Sequence, residues 1–329
     1  MQSFPCCHNP TRLVGGENEP IKVGRLKGQK VWMNVAITGS TGLVGTEVSR
    51  SLEGTGDKSL RLVRRDPSSA NEIFWDPIKG ALETEQLHGL DAVIHLAGEN
   101  IASGRWTSAK KERIRNSRVA NTNFLCRQLG ELSEPPKTLI AASAIGYYGD
   151  RGSELCDEGV PPGEGFLPEV CVDWEAATQP ARNAGMRVVN LRIGVVLTPR
   201  GGALAKMLFP FKMGVGGRIG SGQQVWSWIT LQDLVRVIRR CLEDENFVGA
   251  VNAVAPNPVS NNDFTKTLGR VLGRPTLFPM PAFMAKLALG DMAEWLLLAS
   301  SQVVPTKLTK NNFEFLYPEL EPALREMLA

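Results

Sequence analysis

From Asn34 onward, short apolar runs alternate with longer stretches in which apolar residues recur every three or four positions. The runs NVAIT (34–38), LRLVR (60–64), EIFW (72–75), DAVIHLA (91–97), TLIAAS (138–143), MRVVNLRI (186–193) and AVNAVA (250–255) predict strands. Between them the spacing predicts helices: one opening near Leu43 with Val44, Val48 and Leu52 on one side, and one over 107–131 carrying Ile114, Val119, Leu125 and Leu129. Two more are expected over 166–184 and 231–243. Strands alternating with helices of this length specify parallel βαβ units, and so an α/β fold with a Rossmann-type doubly wound parallel sheet. Strands that are apolar along their whole length fit a sheet covered on both faces.

Past residue 200 the pattern loosens. Residues 201–230 are rich in glycine and aromatic residues and predict no long element, whereas 260–273, 282–299 and about 319–328 predict helices. These form a smaller, mostly helical C-terminal lobe, expected to close over the carboxyl ends of the strands, where open α/β sheets bind ligands. Residues 1–32 have no sustained period and are read as a mobile extension, with a targeting peptide as the weaker alternative; Met33 stands where translation could begin. The expected division is therefore the extension over 1–32, a dinucleotide-binding domain over 33–255 with a substrate loop at about 200–230, and a helical substrate lobe over 256–329.

Composition narrows the class. With 43% hydrophobic and 22% charged residues, the 329-residue chain has the make-up of a soluble globular protein, and a net charge of +3 is too small to imply a nucleic-acid or membrane partner. Cys6, Cys7, Cys126, Cys156, Cys171 and Cys241 lack paired CxxC spacing, and His8, His88 and His95 are the only histidines, so no metal site is expected. The thiols are read as reduced, in a cytoplasmic protein. The stretch FMAKLALGDMAEWLLLAS (283–300) is interrupted by Lys286, Asp291 and Glu294 and reads as an amphipathic helix, not a membrane span.

The first candidate for chemistry is GSTGLVG (39–45), between a strand and a helix. Glycines there let the backbone turn sharply and approach a pyrophosphate, while the N–H groups of the helix start face the anion. Gly39, Ser40, Thr41, Gly42, Leu43, Val44 and Gly45 are thus the expected cradle of a dinucleotide. The second strand ends LVRRDP (62–67), with Arg64 and Arg65 where an acidic residue would select NAD. Both favour NADP over NAD; the alternative is that both simply face solvent.

Together with HLAGENI (95–101), RWTSAKKERIRNSRVANT (105–122), SAIGYYG (143–149), VCVDWEAA (170–177), LRIGVVL (191–197) and GGRIGSGQQVWSWI (216–229), this loop resembles the atypical extended short-chain dehydrogenase/reductases. The branch is the NAD-dependent epimerase/dehydratase-like, or nucleoside-diphosphate-sugar epimerase-like, one, and residues from about Pro275 are similar to its small C-terminal domain of unknown function. The resemblance implies a Rossmann-type fold and an NADP(H) cofactor; Leu96, Ala97, Gly98 and Glu99 are read on the cofactor side, and so is Arg118, as a contact to a cofactor phosphate or, alternatively, as a charge that lowers a tyrosine pKa. It also implies a Tyr-x-x-x-Lys pair, a serine and an asparagine. Those positions here hold Leu167 and Cys171, Ala144, and Arg118. Tyr147 or Tyr148 is the expected replacement acid/base, with Ser143 orienting the substrate; the competing reading packs both tyrosines at the sheet edge. Cys171 as a nucleophile and His95 as a catalyst are the lesser readings against buried, structural ones. Asn100, Arg105, Trp106, Gln223 and Trp228 are the expected substrate contacts, with lobe packing the alternative for Trp226 and Trp228. Two functions follow: an NADP(H)-dependent oxidoreductase or epimerase acting by hydride transfer on a small polar, sugar-like molecule, or an inactive NADP(H)-binding protein that regulates a partner.

Overall fold

The computed structural model describes residues 32–329. The expected extension, with Cys6, Cys7 and His8, lies outside the described residues except for Trp32. The strands are β1 (Asn34–Thr38), β2 (Lys58–Val63), β3 (Glu72–Asp76), β4 (Ala81–Leu82), β5 (Ala92–His95), β6 (Thr138–Ala144), β7 (Leu155–Cys156), β8 (Arg187–Ile193), β9 (Val195–Leu197), β10 (Val225–Trp226), β11 (Trp228–Thr230), β12 (Gly249–Ala253), β13 (Val259–Ser260) and β14 (Gln302–Val303). The helices are α1 (Leu43–Gly54), α2 (Ser108–Gly130), α3 (Phe166–Ala176), α4 (Gln179–Asn183), α5 (Gly202–Lys212), α6 (Leu231–Glu243), α7 (Asn261–Leu272), α8 (Ala282–Leu289), α9 (Asp291–Ala293), α10 (Thr306–Lys310) and α11 (Leu320–Leu328).

One eight-stranded sheet carries the molecule, in the order β12-β8-β6-β5-β1-β2-β3-β4, parallel except for the β3–β4 hairpin. Alternate residues of its strands feed two cores. Val35, Ile37, Ile94, Ile140, Val189 and Leu191 meet α1 and α6 through Val48, Leu52, Leu234 and Ile238. Ala36, Leu62, Val93, Leu139 and Val188 meet α2 through Leu125, Cys126 and Leu129. Because both faces are covered, the strands are apolar throughout, as their sequences require. The chain reverses direction across the sheet between β1 and β5, the topological switch point at which α/β sheets bind ligands.

Three expectations change in detail. The helix over 166–184 is two helices, α3 and α4, separated at Ala177–Thr178. Residues 201–230 do contain a helix, α5, whose glycine start and internal Pro210 hide it in the sequence. The helix over 282–299 breaks at Gly290, whose φ of 62° and ψ of −141° no other residue adopts cheaply, into α8, α9 and one π-turn over Glu294–Leu298. Within that part, α11 packs on α7 around Phe264, Leu268, Leu320 and Leu324, and β14 pairs with β7.

Candidate functional site

The glycine loop follows directly from β1, whose apolar NVAIT run is buried beyond Asn34. Gly39 sits at φ 69°, and a Cβ there would lie 2.9 Å from Ala97 N and Leu96 C. A Cβ on Gly45 would stand 2.2 Å from Gly39 O, so the first turn of α1 lies directly against the loop. Gly42 caps α1 with no side chain, and its N–H donates to Gly39 O at 2.9 Å. The first-turn N–H groups of α1 are thus left for an external acceptor. Inside the same loop, the Ser40 hydroxyl is buried with no hydrogen-bond partner among the described residues. An orphan donor beside an uncapped helix start, in a cradle too tight for any Cβ at 39 or 45, fits a bound pyrophosphate.

The second wall, HLAG, is tied to β1 by one hydroxyl. Thr38 Oγ1 accepts from Leu96 N at 3.1 Å and Ala97 N at 3.2 Å. Its own proton therefore goes to His95 Nδ1, 2.7 Å away. His95 Nε2 then donates to Thr122 Oγ1 at 2.9 Å, which also accepts from Trp174 Nε1 at 3.0 Å. Burial pushes the imidazole down to about 4, so His95 is a neutral strut between β5, α2 and α3. It carries no proton chemistry.

Arg118 reaches from α2 to the underside of this wall. Its guanidinium donates through Nη1 and Nη2 to Glu99 O, each at 3.2 Å, and lies 5.0 Å over the Trp174 ring. A Cβ on Gly98 would touch its Cζ at 3.6 Å. Glu99 itself is engaged by Lys110 at 2.6 Å, which holds the carboxyl below its ordinary value. At the end of β2 the two arginines part company. Arg65 grips Glu72 with Nη1 at 2.9 Å and Nη2 at 2.6 Å, and with Ser68 this pulls the Glu72 carboxyl down to about 2. Arg64 is exposed and has no ion-pair partner among the described residues.

At the end of β6 lies a buried polar chain. Ser143 Oγ donates to Glu175 Oε1 at 2.8 Å; Arg192 clamps the same carboxylate with Nε at 2.8 Å and Nη2 at 3.0 Å. Arg192 Nη1 donates to the Tyr148 hydroxyl at 3.0 Å, and that hydroxyl donates to Asn252 Oδ1 at 2.7 Å. Tyr148 is fully buried and its phenol is pushed up to about 12 by burial. Tyr147 is partly exposed, and the Arg192 guanidinium stacks 3.4 Å over its ring. Sequence reasoning misses Glu175 and Arg192. Their signal is nonetheless present, a second arginine near the carboxyl end of the buried strand RVVNLRI and a carboxylate in WEAA.

Leu167 and Cys171, in the Tyr and Lys positions, are both buried; the Cys171 thiol is pushed up to about 12 by burial, so it is no nucleophile. Leu167 joins an apolar cluster with Trp106, Ile114 and Met292. Of the expected substrate contacts, Trp106 is buried there and donates from Nε1 to Ile101 O at 2.8 Å. Trp228 is buried in the core under α7 and α11 and donates to Asn257 O at 3.0 Å. Trp226 is buried with it. Asn100 closes its own turn onto Ala102 N at 2.9 Å, Arg105 binds the carbonyl of Leu287 on α8, and Gln223 is exposed. Trp106 and Trp228 thus lie in separate apolar clusters.

The family model for the NAD dependent epimerase/dehydratase family matches residues 35–253, and that of a domain of unknown function, DUF1731, matches residues 280–327. Epimerase family protein MT2273 of Mycobacterium tuberculosis is 41% identical over 290 residues, 88% of this chain and 96% of that protein. The crystal structure of human epimerase family protein SDR39U1 (isoform 2) with NADPH superposes with a TM-score of 0.82 at 32% identity, over 90% of this chain and 99% of that one. A nucleoside-diphosphate sugar epimerase from Corynebacterium glutamicum superposes with a TM-score of 0.76 at 38% identity, over 91% of this chain and 58% of that one.

Proposed function

This chain belongs to the NAD-dependent epimerase/dehydratase family, and from that membership we propose that it is an NADP(H)-dependent oxidoreductase or epimerase acting by hydride transfer on a small polar molecule. The cradle carries the proposal: Gly39 and Gly45 leave no room for a side chain, and Ser40 Oγ is buried and unpartnered among the described residues, beside the open start of α1. Arg64, exposed at the end of β2, supplies the charge that a 2′-phosphate needs, while Arg65 is held by Glu72 and shapes the turn. NADPH is the ligand named for the human structure that superposes best among those described above. Residues 33–255 would hold the cofactor and 256–329 would face the substrate.

The nicotinamide, when bound, supplies the hydride donor or acceptor. The protein's own part is different from the family's usual one. Cys171 cannot supply the cation of a lysine, but Arg118 brings a permanent positive charge from α2 to the wall formed by Gly98 and Glu99. Such a charge favours an oxyanion over its neutral form. Tyr147, not the saturated Tyr148, is then the group that carries a proton, with Arg192 fixing its ring and Ser143 and Glu175 fixing Arg192.

A specific observation favours a second reading. Leu167 is closed into an apolar cluster at the point where the family places its tyrosine, which suits a protein that binds NADP(H) and regulates a partner without turnover. One set of measurements separates the two. Titration with NADPH and NADH is expected to show preference for NADPH, and Arg64→Glu to weaken NADPH about ten-fold or more while sparing NADH. NADPH oxidation is then followed across a panel of carbonyl compounds. Turnover that falls about a hundred-fold in Tyr147→Phe supports the enzyme; tight NADPH binding with no turnover on any member supports the regulator. Unchanged NADPH affinity in Arg64→Glu removes the NADP assignment.

A further inference from the structure

A net charge of +3 hides a local excess. Residues 201–222 and 269–290 contain Lys206, Lys212, Arg218, Arg270, Arg274 and Lys286, and not one Asp or Glu. These two segments lie side by side: Met280 N donates to Arg218 O at 2.8 Å, Gly220 N donates to Met280 O at 2.9 Å, and a Cβ on Gly217 would collide with Phe278 O. Of the fifteen large apolar side chains exposed among the described residues, nine fall in these two segments. Phe209 (73% exposed), Leu277 (76%), Phe283 (70%) and Leu287 (73%) stand out in solvent, joined by Met213 and Phe278. The helix α8 is inverted relative to an ordinary surface helix: it buries Ala285 and turns Phe283, Met284 and Leu287 outward. Lys286 pairs with Glu294 and Arg270 with Glu321, whereas Lys212 and Arg274 have no ion-pair partner among the described residues.

Several large apolar side chains in one exposed patch exceed what a monomer's surface ordinarily tolerates, and mark a contact surface. We propose that this face, formed by the end of α5, residues 275–280 and α8, docks peripherally on an anionic lipid bilayer. Charge decides the occupant. A second copy seated by the same face would set Lys212 and Arg274, which have no ion-pair partner among the described residues, against themselves, with no carboxylate in either segment to answer them. An anionic bilayer answers both properties at once: acyl chains for the aromatic and aliphatic tips, and headgroup phosphates for the surrounding cations. Lys266 and Arg274 line a shallow notch at the rim of the patch, beside Arg270, which Glu321 holds. No helix among the described residues is long and apolar enough to cross a membrane, so the contact is one of surface depth only.

The full-length protein is floated with vesicles of phosphatidylcholine containing about one third phosphatidylglycerol, and with phosphatidylcholine alone. Binding to the anionic vesicles is expected, with little to the neutral ones, and it should fall steeply when salt is raised to about 0.5 M. Phe283→Glu with Leu287→Glu should weaken it about ten-fold or more, and Lys212→Glu with Arg274→Glu should do so at low salt, both with unchanged thermal unfolding because all four side chains are exposed. Wild-type protein that ignores anionic vesicles, or an apolar double variant that binds as well as wild type, overturns the proposal. A dimer in solution abolished by the same apolar pair, without vesicle binding, overturns it in favour of a second copy; capture of an acidic protein partner without vesicle binding overturns it equally.

Discussion

At the scale of single residues, the site is built from groups whose role depends on what holds them. His95 is neutral because Thr38 offers its proton to Nδ1 and burial resists a charge. Its folded value near 4 lies below the ordinary 6.5, so the unfolded chain binds the proton more readily. Stability from this group is fully present above about pH 6.5 and is lost as pH falls through about 4, a change of roughly 3 kcal/mol. Urea unfolding at neutral pH and near pH 4 should show a steeper loss for wild type than for His95→Gln; equal slopes would contradict the assignment. The glycines of 39–45 and the arginines at 64 and 65 are legible from the chain's order, because a tight turn needs particular residue types in a particular order. That Arg65 is spent on Glu72 and Arg64 is not is illegible there, since it depends on β3 lying beside β2.

Between elements, the decisive joint is the one among β6, β8 and α3. Arg192 and Glu175 are both largely shielded from solvent, and removing one partner strands the other's charge. Glu175→Ala should therefore cost about 3–5 kcal/mol, while Glu175→Gln, which keeps an acceptor for Ser143 and Arg192, should cost less. The test is the shift in urea midpoint of the two variants, and a negligible shift in Glu175→Ala would show that the ion pair is not what holds the joint. Element existence is largely readable from apolar spacing: all seven expected strands form, each within a few residues of its run. Element ends are less so. The break at Gly290 depends on one backbone conformation, and α5 forms because Leu204, Leu208 and Phe211 find a core to enter, despite Pro210.

At the scale of the whole molecule, the residues after Ala299 complete cores that begin elsewhere. Val303, Leu308, Leu320 and Leu324 are buried, and Ser301 Oγ donates to Gly149 O. At roughly 1.5–3 kcal/mol each, those four side chains approach the entire stability of a folded domain. A chain ending at Ala299 is expected to lose cooperative unfolding by circular dichroism, and a truncated protein with a sharp, near-native transition would refute that coupling. Residue order alone specifies the alternation of strands and helices, the sheet it implies and the cofactor cradle, because each rests on residues adjacent in the chain. Three-dimensional packing is what buries Trp106 and Trp228 in apolar clusters, saturates Tyr148 but not Tyr147, and brings two basic, apolar segments distant in the chain onto one face. Burial, pairing and charge density are properties of neighbours in space, and the chain's order does not contain them.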